Sequence, residues 1–219
     1  MNYLLISLGI VIAILVYVIY SYFSDKGNNL LKFRKMNSSS HTIAGSDLSE
    51  PSSRRYAYGF WTYLNSWSTT PMRLLTRGGF YVEIDRYSTT LRVNFPMSSG
   101  RYNTVITDKF PIQKWTYVVV SVDNDVCDVY IDGKLARSFR IYTRRGRVVS
   151  NPPSSTTGLI VSSYNGSAAR IKQWPHPLNP EQVYTEYMRG SGQEPMFANY
   201  GMDVSLLRDN VEQVKVSLF

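Results

Sequence analysis

The chain has 219 residues, with 24 Lys and Arg against 16 Asp and Glu, a formal charge of +8. That length supports one domain with a real core, and the charge is weaker than a dedicated nucleic-acid binder carries. A single cysteine, Cys127, excludes an intrachain disulfide, and with only His41 and His176 beside it the chain has no set of ligands for a structural zinc.

The first element is apolar. Tyr3 to Phe23 runs for 21 residues without a charge, enough as a helix to cross roughly 30 Å of hydrocarbon. Tyr17, Tyr20, Tyr22 and Phe23 gather where such a helix would meet the interface. A cleaved signal peptide would need a charged start and small residues at its end, and Ser21-Tyr22-Phe23-Ser24 is a poor cleavage site. Residues 1–24 are therefore expected to be a transmembrane anchor, with a lipid bilayer as partner through residues 3–23. Lys26, Lys32, Arg34 and Lys35 all follow it, so the larger part of the chain is expected on the cytoplasmic face.

Residues 25–53 read as a polar linker, rich in Ser and Asn and without apolar periodicity. Short alternating runs come next. Tyr56–Leu64, Phe80–Asp85, Thr90–Phe95 and Trp115–Val122 read as strands. Cys127–Ile131 leads through Asp132-Gly133, a strong hairpin dipeptide, to Leu135–Ile141. Gly158–Ser163 and Ala168–Gln173 are expected to form a further pair around Asn165-Gly166. A short helix should follow, capped by Asn179, with Pro180 and Glu181 in its first turn and Gly190 beyond its end. The last twenty residues alternate twice about Asp209-Asn210, as a hairpin does, with an amphipathic helix as the alternative. The rhythm is that of an all-β antiparallel sandwich with one short helix, occupying residues 54–219 and including the C-terminal hairpin.

Trp115-Thr116-Tyr117-Val118-Val119-Val120, followed by Val129-Tyr130-Ile131-Asp132-Gly133-Lys134-Leu135, resembles the paired strands of concanavalin A-like, laminin-G-like jelly rolls. Gly158-Leu159-Ile160-Val161, Arg170-Ile171-Lys172-Gln173-Trp174 and the Pro177–Tyr184 segment are similar to the closing strands and helix of that family. The resemblance covers about Tyr56 to Gly190. It implies a jelly roll with Trp115 filling the core of a central strand.

Three sites carry candidate chemistry. Glu83-Ile84-Asp85 is similar to the opening of a jelly-roll glucanase motif, but Arg86 to Thr90 supplies no second carboxylate, so no catalytic residue is assigned. The other reading is a pair of exposed strand carboxylates near Arg86. Laminin-G-like members often place acids before the closing strand to hold calcium. Here that stretch is Gly166-Ser167-Ala168-Ala169-Arg170, so neither metal nor cofactor is expected. Trp67, Tyr87 and Tyr102 are candidates for stacking on a glycan. Finally Arg137, Arg140, Arg144, Arg145 and Arg147 form a basic run. It reads either as a partner-docking surface or as an edge strand that discourages aggregation. Nucleic acid is not the expected partner, because only Tyr142 interleaves the run.

An anchor followed by a cytoplasm-facing jelly roll looks like the membrane-anchored minor capsid proteins of large DNA viruses. That resemblance implies a structural protein linking an internal virion membrane to capsid or coat proteins. A membrane-bound lectin-like module is the alternative, and an enzyme the remotest reading.

Overall fold

The computed structural model describes residues 9–17, 28–98, 100–141, 155–192, 203–208 and 211–217. Two six-stranded antiparallel sheets face one another. The first runs in the order β1 (Asn28–Lys35), β12 (Gly166–Trp174), β3 (Arg55–Leu64), β8 (Trp115–Asp123), β9 (Val126–Ile131) and β10 (Lys134–Arg140). The second runs β2 (His41–Ile43), β11 (Leu159–Val161), β4 (Met72–Arg77), β5 (Phe80–Ile84), β6 (Leu91–Pro96) and β7 (Arg101–Thr107). Period-two alternation explains the division of side chains. Phe60, Val118, Val120 and Val129 of the first sheet join Leu75, Val82, Leu91, Val93 and Phe95 of the second in one fully buried core. Each contributes about 1.5–3 kcal/mol by leaving water. Cys127 lies in this core, and burial pushes its thiol pKa well up.

The β9–β10 hairpin turns at Asp132 and Gly133, with φ of 48° and 75°, the geometry its dipeptide anticipates. Asp132 does more than turn. Its carboxylate accepts the Tyr117 N–H at 2.9 Å and pairs with Lys114 at 2.9 Å. The helix α2 (Pro180–Met188) starts at a capping box, in which Asn179 and Gln182 each accept the other's backbone N–H.

Two expectations need correction. The segment read as a linker, residues 25–53, supplies β1, β2 and a 3-10 turn at Gly45–Asp47, and β1 is an edge strand paired along β12. Its burial is one-sided and broken by an irregularity between Asn29 and Leu31, so the sequence shows no clean alternation. Gly158–Ser163 and Ala168–Gln173 do not pair. β11 joins β2 and β4 in one sheet, whereas β12 joins β1 and β3 in the other. Gly166 is there for closeness, since a Cβ would meet the Tyr63 carbonyl oxygen at 2.0 Å. The C-terminal hairpin forms as β13 (Asp203–Arg208) and β14 (Val211–Ser217), but as a two-stranded sheet of its own, not hydrogen-bonded to either six-stranded sheet. Its turn at Asp209-Asn210 lies outside the described residues.

Residues 9–17 form a helix, α1. Ile10, Val11, Ile12, Ile14, Leu15 and Val16 are each more than half exposed, so apolar side chains face outward all round it. Among the described residues no helix is long and apolar enough to cross a membrane. The remainder of the expected span, residues 3–8 and 18–23, lies outside them.

The registers give the sandwich two distinct ends. Asn28 opens β1 opposite Gln173, Ala57 pairs with Trp174, and Arg55 pairs with Asp123. The chain therefore enters the domain at the end carrying residues 55, 123 and 126. At the far end stand Lys35, Leu64, Trp115 and Gly166, with the loops β3–β4, β5–β6 and β7–β8.

Candidate functional site

The outer face of the first sheet is aromatic. Trp61, Tyr117, Tyr130 and Trp174 project from β3, β8, β9 and β12 away from the main core and meet Val183 of α2 in a second buried cluster. Trp61 stacks on Tyr187 of the helix at 5.6 Å. Beneath α2, Lys172 donates to Glu186 at 2.7 Å with both side chains almost wholly buried, and Arg189 completes the pairing. Arg170, held at φ of 45°, donates to the carbonyl oxygens of Arg189 and Gly190 where the helix ends.

Towards the far end the same face is left uncovered. Phe33, Tyr63 and Trp115, with Lys35, Asn37, Asn65 and Ser167, line a depression of about 460 Å³. The Trp115 ring is central, edge-on to Tyr63 at 5.7 Å and tilted against Phe33 at 6.4 Å. Trp115 thus opens β8 on the outer face, half-buried, and does not fill the core as the family resemblance implied. The polar groups are held in place. Asn37 Oδ1 accepts the Gly166 N–H at 2.9 Å, and Asn65 Nδ2 donates to Asn165 Oδ1 at 2.7 Å. Gln113 Nε2 donates to the Asn65 carbonyl at 3.3 Å. Rigid rings beside fixed amides, one ammonium and a hydroxyl suit a polyhydroxylated ligand, whose apolar faces stack while its hydroxyls exchange hydrogen bonds.

The residues singled out from sequence fall in several places. Trp67 and Tyr87 are exposed at the far end, on the β3–β4 and β5–β6 loops, which the Tyr87 N–H joins by donating to the Ser68 carbonyl at 2.8 Å. Tyr102 is not available for stacking on a ligand, because it is spent on Phe139 at 5.9 Å, closing one side of the sandwich. Of the basic run, Arg137 donates to the Val105 carbonyl of β7 and Arg140 pairs with Asp125 at 3.1 Å, at the chain-entry end. Arg144, Arg145 and Arg147 lie outside the described residues.

Glu83 is buried, not exposed. It pairs with Arg73 at 3.7 Å and accepts from Asn94 at 3.4 Å. Burial raises its pKa, Arg73 opposes the rise, and the neighbouring Asp85 adds to it. Asp85 is itself bound to Arg92. The Gly166–Arg170 stretch, where the family resemblance would place calcium-holding acids, carries Arg170 in its helix-capping role. Among the described residues no group of His, Cys, Asp or Glu has the arrangement to hold a metal ion.

A family model described as the concanavalin A-like lectin/glucanases superfamily matches residues 36–184. The chain belongs to that superfamily. Solved structures of similar shape include the binding domain of botulinum neurotoxin DC in complex with rat synaptotagmin II. It has a TM-score of 0.54 and 13% identity, over 74% of this chain and 45% of that one. The serotype D ligand-binding domain in complex with N-acetylneuraminic acid gives a TM-score of 0.51 and 12% identity, over 77% and 45%. Domain 4 of a GH43 extracellular arabinanase from Geobacillus stearothermophilus, in complex with arabinotriose, gives 0.50 and 18%, over 65% and 69%. This superfamily member spans less than half the length of those neurotoxin chains. At such identities the likeness is one of fold. No curated protein matches the chain.

The depression was hidden from sequence reasoning for a local reason. Phe33 and Lys35 fall in the stretch that reads as linker, and Tyr63 and Trp115 look like ordinary strand residues. Only the pairing of β1 with β12 and of β3 with β8 brings them together.

Proposed function

We propose that this chain is a non-catalytic glycan-binding module held to a membrane by its N-terminal segment. The observation that carries the reading is the depression around Trp115, where three aromatic rings meet Asn37, Asn65, Ser167 and Lys35. Among the described residues the Asn37 amide nitrogen and the Ser167 hydroxyl make no hydrogen bond, so both are free to meet sugar hydroxyls. The neighbours solved with arabinotriose and N-acetylneuraminic acid lend support at the level of fold. Glu83 and Asp85 serve ion pairs, which favours binding over hydrolysis. The full-length protein should bind members of a broad glycan array that includes both of those sugars, and Trp115→Ala should abolish the signal. Silence across the array would remove the reading.

The tether rests on the outward-facing apolar side chains of α1, which no part of the described fold covers. A helix apolar all round belongs in a large core or in lipid. The basic residues that follow favour a cytoplasmic domain. Protease added to sealed microsomes should then digest the domain while the anchor resists carbonate extraction. Complete protection would reverse the orientation.

A second reading is a minor capsid protein that bridges an internal virion membrane to coat proteins. The two-ended build supports it, because the chain enters at one end and the exposed aromatic residues stand at the other. Cross-links from the far end or from β13–β14 to coat proteins, with an empty glycan array, would favour this bridge.

A further inference from the structure

We propose that the far end of the sandwich also docks onto an anionic lipid surface, with Trp67 and Tyr87 entering the headgroup layer. These rings are 59% and 69% exposed, and neither lines the depression. Their loops are tied into one rigid platform. The Tyr87 N–H donates to Ser68 O at 2.8 Å, and the Phe110 N–H donates to Thr89 O at 2.9 Å. Thr89 Oγ1 reaches Asp108 O at 2.8 Å, and the Gln113 N–H reaches Leu64 O at 2.7 Å. Tyr87 is held at φ of 55°, a conformation that costs energy for a residue other than glycine.

A concave site with fixed amides takes a small ligand. Two rings standing on neighbouring loop tips are instead suited to penetrate a soft phase. Trp and Tyr are the side chains that favour the membrane interface, because each joins a large apolar ring to one polar group. The flanking charge fits anionic headgroups. Arg86 and Lys109 are exposed on the same joined loops and make no ion pair among the described residues. On these loops Asp85 is bound to Arg92 and Lys114 to Asp132, which leaves Asp108 against the two cations Arg86 and Lys109. With the N-terminal segment entering at the opposite end, such docking would set the domain between two membranes.

The test uses the full-length chain, in phosphatidylcholine nanodiscs where it needs them, mixed with larger vesicles and floated on a density gradient. The vesicles contain phosphatidylcholine with phosphatidylserine as the minority lipid, and no glycan, so the outcome does not depend on the sugar site. Co-flotation is expected, falling by about tenfold for Trp67→Ala/Tyr87→Ala because membrane affinity follows buried apolar area. The swap Trp67→Tyr/Tyr87→Trp should retain it, which separates ring chemistry from damage to the fold. Arg86→Ser/Lys109→Ser should lose the preference for phosphatidylserine. The proposal is overturned if the wild-type chain does not float, or if the double alanine variant floats equally well. It is also overturned if that variant loses binding to the glycan array alone, which would assign both rings to the sugar site.

Discussion

One aromatic face runs across the outside of the first sheet, and its two halves have different fates. Under α2, Trp61, Tyr117 and Trp174 are sealed by the helix and by the Lys172–Glu186 pair. Towards the far end, Phe33, Tyr63 and Trp115 stand in the open beside Asn37 and Asn65. The residue types match, and the difference is the cover. An aromatic residue on a strand is core where another element lies over it, and a binding surface where none does.

The largest effect should come from breaking the seal. Glu186→Ala leaves the Lys172 ammonium buried beneath the helix, and the loss of stability should be about 3–5 kcal/mol by chemical denaturation. Replacing all three members, as Lys172→Met/Glu186→Leu/Arg189→Met, should recover most of that loss. If the single and triple variants were equally destabilised, the cluster would not be what holds α2 down.

Next, the two halves can be set against each other directly. Trp61→Ala should cost about 3–5 kcal/mol, as a large side chain removed from a packed cluster does. Trp115→Ala should cost about 1 kcal/mol while removing glycan binding. Equal stability losses would erase the distinction. A smaller change sharpens it: Asn179→Ala removes one side of the capping box and should cost about 1 kcal/mol, measured by thermal unfolding, without altering the open half.

The smallest effect is a pH slope. The Glu83 carboxyl titrates at a higher pH in the folded chain than in the unfolded one. Between those two values the folded state holds the extra proton, so stability falls as pH rises through that window and levels off above it. Glu83→Gln should flatten that part of the stability–pH curve. An unchanged slope would mean the carboxyl is better solvated than its neighbours Arg73 and Asn94 allow.

These contrasts also explain what sequence could reveal. The strands through Phe60 and Val120 were legible because both faces are buried and their β-branched and aromatic residues run almost without a break. The Asp132-Gly133 turn and the Asn179 cap were legible because each is set by local chemistry. β1 was not, since an edge strand half in water, NNLLKFRK, offers two adjacent leucines and no alternation. β4 and β7 were missed for a related reason, as Arg73, Arg101 and Asn103 interrupt their apolar residues. Asn165-Gly166 mimicked a hairpin because the demand for a residue without a Cβ is the same whether a chain turns or passes close to its neighbour. The depression depends on four strands distant in sequence, and nothing local announces it. Trp67 and Tyr87 stood out because exposed large rings in polar loops have no packing reason to be there.

The opposed ends of the sandwich also fix a length. The ten residues of β3 run from the chain-entry end to the loop that bears Trp67, a rise of about 30 Å. Because antiparallel strands flank β3 on both sides, that distance cannot stretch without breaking ladders. The domain therefore acts as a ruler. Whatever its tip touches must lie at one set clearance from the point where the chain enters, and a gap narrower or wider than that would go unread.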